Sequence, residues 1–205
     1  MKKYILIFIG FIILISSIVT FLYFSSFREI NFNIKQTGLT VNIYKLDKDQ
    51  KVGTLKNNNG LSLQNGDYYF VATGDKVDLS HNKFKIDDST KIITVDPDYS
   101  TNYLASQLTN NNVIIQTTIN AAFPAIIGQY DTFDQALLKK GDWYGGLLKY
   151  RSDDSNIMKD SYRVILHKEV SGWVVIKKPE IVVTQSNFPT VPIDVLTAVN
   201  NLLDS

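Results

Sequence analysis

The sequence predicts an α+β protein with three parts: an N-terminal apolar helix, a small antiparallel β-sandwich, and helices packed on one face of an antiparallel sheet. Three observations lead to this. Tyr4 to Phe24 carry no charge, Ile30 to Val95 break into short alternating runs between strong turn signals, and residues 99 to 205 pass from helical spacing to strand spacing and back.

The first element is "YILIFIGFIILISSIVTFLYF", 21 residues that would span about 31 Å as a helix, the thickness of a bilayer core. Lys2 and Lys3 precede it, and Arg28 and Lys35 follow. The short head predicts a signal-anchor with its N-terminus in the cytoplasm. A cleaved signal peptide fits less well, because the run exceeds a usual apolar region and ends in bulky "FLYFSSF" without a small-residue cleavage site. The absence of Cys excludes a lipid-modified cysteine anchor. Residues 1–27 are therefore read as cytoplasmic head and transmembrane anchor, inserted in the lipid bilayer through residues 4–24. The remainder is extracytoplasmic, in a single-pass protein of the cell membrane.

With Lys2 and Lys3 set aside, 19 basic side chains face 20 acidic ones. That balance argues against a nucleic-acid partner, which needs a basic excess. No disulfide is available, so burial of apolar surface must hold the extracytoplasmic part together. A chain rich in Asn, Lys and Ile, in which no Asn begins a glycosylation sequon, fits a bacterial source.

From Ile30 to Val95 the strand candidates are "INFNIK", "LTVNIYK", "LSLQ", "DYYFVAT", "KFKI" and "KIITV", with "LDKDQKVG" and "NNNG" among the turns. In "LTVNIYK", Leu39, Val41 and Ile43 alternate with Thr40, Asn42 and Tyr44, the pattern of a half-buried strand. Asn65-Gly66 predicts a two-residue hairpin between its neighbours. The stretch "LSLQNGDYYFVATGD" resembles the PEGA-like surface domains through Leu63, Gly66, Tyr69 and Val71. That resemblance implies a prealbumin-like β-sandwich over residues 28–97.

"VDPDYS" marks the next boundary, with Pro97 stopping a strand and Asp98 or Ser100 available as a helix N-cap. Residues 98–205 form the α+β domain. Tyr99, Tyr103, Leu104 and Leu108 predict one helix, and "NNVIIQTTINAAF" predicts a second that ends at Pro124. Residues 132–140 read either as a strand or as a short helix ended by Gly141. Then come three strand candidates, "WYGGLLKY", "SYRVILHKEV" and "GWVVIKKPEIVVTQ", and a closing helix with Val195, Leu196, Val199, Leu202 and Leu203 on one stripe. Gly145-Gly146 suggests a bulge or a close backbone contact. The order looks like the cystatin or NTF2-like folds. The string "GDWYGGLL … DSYRVILHKEVSGWVVIKKPEIVV … FPTVPIDVL" is similar to uncharacterised membrane-anchored proteins of candidate-phylum bacteria, which implies architecture and location but no activity.

No catalytic or metal-binding constellation emerges, and no cofactor is implied. His81 and His167 lie in a polar turn and on a strand's outward face. The glycines of "GDWYGG" fit neither phosphate-binding pattern. Asp87, Asp88, Asp96 and Asp98 lack calcium-loop spacing. Asp131, Asp134 and Asp142 cluster among aromatic residues, which keeps a wall-polymer hydrolase as an alternative. A small-ligand-binding NTF2-like module is another, with Trp143, Tyr144, Tyr150, Tyr162 and Trp173 as candidate pocket residues. The expectation is a non-enzymatic binding or scaffolding protein whose partner is an envelope protein or a cell-wall polymer.

Overall fold

The computed structural model describes residues 2–151 and 159–203, with backbone only at 2–11 and 22. The chain is α+β with antiparallel sheets and divides into two compact units, 1–97 and 98–205. Helix α1 covers Lys2–Ser25. Among the described residues, no helix is long and apolar enough to cross a membrane. The apolar span read over Tyr4–Phe24 has its side chains at 4–11 and 22 outside those residues.

In the first unit, β1 (Phe27–Ile34), β4 (Asn59–Gln64) and β7 (Ile92–Val95) form one sheet in the order β4-β1-β7. The second sheet runs β3-β2-β5-β6, from β2 (Thr40–Lys45), β3 (Gln50–Leu55), β5 (Gly66–Gly74) and β6 (Val77–Ile86). Period-two alternation turns Ile30, Phe32 and Ile34 inward from β1, and Val41, Ile43, Tyr68, Phe70 and Ala72 from the second sheet. Phe32 and Phe84 meet edge to face across the layers, with centroids 5.9 Å apart. Strand β7 runs parallel to β1.

Two sequence expectations change here. Asn65-Gly66 is not a hairpin, because β4 pairs with β1 while β5 pairs with β2 and β6. The pair carries the chain from one sheet to the other, with Gly66 at φ 151°. The Tyr68 hydroxyl donates back to the Gln64 carbonyl at 2.9 Å, clamping this crossing in the manner of a tyrosine corner. Inward positions therefore belong to Tyr68 and Phe70, whereas Tyr69 stacks on Tyr44 and His81 with centroids 4.9 and 6.1 Å away. Tyr68→Phe removes only the clamp and should cost about 1 kcal/mol in urea unfolding of the first unit. The stretch read as the loop "LDKDQKVG", residues 46–53, contains the first four residues of strand β3. Its true turn is short and passes through Asp49 at φ 50°, and polar composition hid an edge strand.

After β6, the Asp87 carboxylate accepts from the backbone N–H and hydroxyl of both Ser89 and Thr90. The Ser89 hydroxyl, then the Thr90 hydroxyl, hold its pKa down at about 2. A depressed carboxylate favours the folded turn above its ordinary pKa and loses that contribution as pH falls through the depressed value. The Ser89 and Thr90 amide resonances should therefore titrate with a midpoint near 2, and a midpoint near 4 would show that the turn does not hold the carboxylate.

The second unit begins with α2 (Thr101–Ala122), whose first turn is capped by Ser100 Oγ accepting from the Tyr103 N–H at 3.2 Å. The two helices expected from the sequence are one. Asn110-Asn111-Asn112 reads as a break, but Asn111 Nδ2 donates to the Gln107 carbonyl at 2.7 Å inside the helix. Pro124 ends it and opens a single 3-10 turn, Pro124–Ile126. Four antiparallel strands follow as a meander: β8 (Tyr130–Leu138), β9 (Trp143–Tyr150), β10 (Tyr162–Glu169) and β11 (Gly172–Val175). Residues 132–138 are thus strand, and Lys139–Gly141 form a 3-10 turn. Beyond Val175 the Ile176 N–H still donates to the Ile165 carbonyl at 3.0 Å, and a bridge between Arg163 and Glu180 follows, but Lys178-Pro179 breaks the expected long strand.

Helices cover both faces of this sheet, not one. Ile115 and Ile119 of α2 pack with Tyr144, Leu148, Val164 and Leu166 on one face. Val195, Leu196 and Val199 of α3 (Ile193–Asn200), together with Val183 and Phe188, pack with Ile165 on the other. Residues 144–148 of β9 are buried without interruption, the signature of a strand covered on both sides. The bulge expected at Gly145-Gly146 lies instead on β8, between Thr132 and Asp134. The glycines serve close contact: a Cβ on Gly145 would strike Val199 Cγ2, and one on Gly146 would lie 2.5 Å from the Tyr144 hydroxyl.

Candidate functional site

One ridge of α2 is made of Tyr103, Gln107 and Asn111 at four-residue spacing, continuing the line of Tyr99 just before the helix. The adjacent stripe of Leu104, Leu108, Ile115 and Ile119 faces the sheet, so the polar ridge is left beside the core rather than in it. It forms one wall of a cleft of about 250 Å³. Lys140, Gly141 and Asp142 of the β8–β9 connection, Lys168 of β10 and Trp173 of β11 form the other wall.

The connection is held by backbone geometry that most side chains avoid. Lys139, Lys140 and Gly141 have φ of 50°, 59° and 87°, so two non-glycine residues in succession adopt left-handed conformations. Each costs on the order of 1 kcal/mol. Asp142 closes the turn through its N–H to the Lys139 carbonyl at 3.2 Å, and its own carbonyl accepts from the Lys168 N–H at 2.8 Å. Lys139 pairs with Asp194, while Lys140 lines the cleft. The Lys168 ammonium stands 5.9 Å from the Trp173 ring centroid. The Trp173 indole Nε1, though buried, has no hydrogen-bond acceptor among the described residues.

Of the aromatic residues singled out from the sequence, only Trp173 lines this cleft. Tyr144 is core: fully buried, it donates from its hydroxyl to Gln135 Oε1 at 3.0 Å. Burial raises its pKa above the usual phenol value, with Thr132 and Gln116 pulling weakly the other way, so it stays a neutral donor. Trp143 points to the opposite face, where its ring lies 4.4 Å from that of His167. Tyr150 and Tyr162 both pack edge to face on Tyr130, 5.4 and 5.6 Å away, with Lys159 over Tyr150. Beneath the sheet on the α2 side, Ile115, Ile119, Tyr144 and Leu148 pack together, while toward β8 an open apolar groove of about 370 Å³ runs between Leu104 and Leu108 of the helix and Ala136 and Leu138 of the strand.

The aspartates do not converge. Asp131 pairs with Arg151 at one end of the β8–β9 ladder, Asp134 accepts from the Leu203 N–H at 3.0 Å, and Asp142 lies past the other end. Asp131 is seven steps along the strand from Leu138, about 23 Å, and Asp142 lies beyond that, so the two stand well outside the spacing of a carboxylate pair that cleaves glycosides. In the first unit, Asp87 is engaged in its own turn and Asp88 pairs with Arg28 at 2.7 Å. Among the described residues, no three His, Cys, Asp or Glu side chains come together as a metal site. The polar ridge has a four-residue spacing in the sequence, where Tyr99 and Tyr103 served only to predict a helix. Lys140 and Lys168 carried no local signal, because a turn and a strand bring them to α2.

No family model matches the chain, and neither the curated proteins nor the solved structures contain a match.

Proposed function

We propose that the chain is a single-pass membrane protein of the cell envelope whose extracytoplasmic part binds a ligand without catalysis, through the cleft between α2 and the sheet. The observation that carries the binding reading is the lining of that cleft. Aromatic, amide and cationic side chains converge there, with one carboxylate and no nucleophile–base pair among the described residues. The anchor reading rests on α1. Ile12, Ile13, Leu14 and Ile15 are 45–60% exposed in succession, so apolar side chains project from every side of this helix, uncovered by any of the described residues. The PEGA-like character of residues 28–97 and the NTF2-like character of 98–205 belong to the same reading, as does an envelope polymer as partner.

The test uses the full chain expressed in a bacterial membrane. It should resist alkaline extraction, lose residues 28–205 to protease added outside the cell, and co-sediment with insoluble envelope polymer when solubilised in detergent. Release by alkali, or protection of the C-terminal unit, would overturn the anchor. Failure to co-sediment would overturn the envelope-polymer partner.

A further inference from the structure

We infer that the second unit pairs with a second copy of this chain as a two-fold dimer, joined through the open edge of β8 and the flank of α2 beside it. This surface is distinct from the ligand cleft, which lies along the other flank of α2. Strand β8 ends the sheet order β11-β10-β9-β8, so alternate residues along it turn their N–H and C=O away from β9, with no further strand to receive them among the described residues. Sheet edges are ordinarily blunted by lysine, proline, a bulge or shortness. The opposite edge, β11, is four residues long and runs on into Lys177-Lys178-Pro179. The first half of β8 has its bulge between Thr132 and Asp134. Residues 135–138, "QALL", have none of these devices, and the apolar groove walled by Leu104 and Leu108 lies beside them.

Helix α2 supplies the rest of the surface. None of its 22 residues is charged, although 20% of the chain is. Depletion of charge marks the centre of protein interfaces. Two contacts show which flank faces β8: Ala105 lines the groove, and Gln116 Oε1 accepts from the Thr132 hydroxyl at 3.0 Å. Thr109 and Val113 follow Ala105 at four-residue spacing, and all three are exposed, Val113 to 77%. The Thr109 hydroxyl already donates to the Ala105 carbonyl at 3.1 Å, so covering it strands no donor.

Geometry, charge and area select a second copy as the occupant. A two-fold axis beside Ala136, perpendicular to the sheet, pairs the two β8 strands antiparallel and brings both α2 helices onto one face, where Ala105 and Thr109 are small enough to let them approach. Asp131 and Asp134 lie in the first half of β8, and Lys139 follows its last residue. An antiparallel partner therefore sets Asp134 of each copy near Lys139 of the other, whereas a parallel one sets like against like. Lys139 already shares Asp194, and Asp131 shares Arg151, so charge fixes the direction of pairing and adds little to its strength. Residues 102–120 of α2 run for about 27 Å, and a helix layer over a sheet layer is about 20 Å deep. A strip of that size covers about 1,100 Å² over both copies, just above the area a specific interface needs.

The test uses the full chain solubilised in detergent. It has no cysteine, so single introduced cysteines report contact. Under copper–phenanthroline in air, Ala105→Cys should link into dimers about tenfold faster than Val170→Cys, a fully exposed site at the β10–β11 turn, because a held pair meets at high effective concentration. Thr109→Lys puts like charges beside the axis and should raise the dimer dissociation constant about tenfold in sedimentation equilibrium, with an unchanged circular dichroism spectrum. Asp134→Lys and Lys139→Asp should each weaken the dimer and together restore it. The two positions are about 17 Å apart along one strand, too far to pair within a chain, so restoration reports contact between copies. A chain that stays monomeric, or equal linking at positions 105 and 170, would overturn the inference. Linking of Ala105→Cys in the intact membrane to a protein other than a second copy would assign the edge to a different partner and overturn it too.

Discussion

Gly145→Val is expected to destabilise the second unit by about 3 kcal/mol, at the upper end of what overpacking costs in a closed core. Gly145 sits in the middle of the sheet, opposite Ile165 of β10 and Ala136 of β8, so the backbone cannot retreat sideways. Above it stands Val199, fully buried, whose Cγ2 occupies the place a Cβ would need. Val199 is β-branched and on a helix, which leaves it one strongly preferred rotamer and no way to swing clear. The clash must therefore lift α3 from the sheet. Both tryptophans, Trp143 and Trp173, belong to this unit, so fluorescence-detected urea unfolding reports on it without interference from the first. Gly145→Ala should cost about 1–3 kcal/mol, and less than 1 kcal/mol when measured in a Val199→Ala background. Equal costs in both backgrounds would show that the contact with Val199 is not what excludes a side chain.

The same residues explain how much of the fold was legible. Alternation in "LTVNIYK" specified an inward and an outward face, and strand β2 has them, because period-two burial is a local property of the backbone. Ser100 and Pro124 bounded α2 by rules that need only neighbouring residues. What escaped depends on partners distant in sequence. "WYGGLLKY" and "YRVILHKE" contain consecutive apolar pairs, which mark strands buried on both faces, yet period-two reading seeks a polar face and so leaves α3 on the wrong side. Asn65-Gly66 has the composition of a hairpin, and only the pairing of β4 with β1 decides otherwise. The cleft was least legible of all. Its ridge on α2 has a period, but its cations arrive from β10 and from a turn whose left-handed lysines defy the residue preferences by which turns are recognised.

Arg163→Ala should cost the second unit about 3 kcal/mol, because one guanidinium holds the end of α3 and the segment before it against β10. Its Nε donates to the Val199 carbonyl at 3.2 Å and its two terminal nitrogens to the carbonyls of Asn200, also 3.2 Å, and Ile181. The last carbonyls of a helix have no intrahelical donor and carry the negative end of its dipole, so a forked cation is well matched to them. Hydrogen bonds to charged groups contribute about 1.5–3 kcal/mol each when one is considered alone. Partial exposure of the arginine and shared geometry keep the sum well below additivity. Arg163→Lys supplies a single point charge that cannot reach three diverging carbonyls, and should restore less than half of the loss. Arg163→Met keeps the stem without the charge and separates packing from polar contacts. Asn200 fixes the same segment through its side chain, accepting from the Val183 N–H at 3.0 Å and donating to the Val183 carbonyl at 2.7 Å. Asn200→Ala and Arg163→Ala should therefore combine to less than the sum of their separate costs, since whichever goes first frees the strap that the other restrains. Full additivity would mean that the two side chains hold independent pieces of chain. An unchanged midpoint in Arg163→Ala would mean that Val183, Phe188, Val191 and Val199 hold the strap by apolar contact alone.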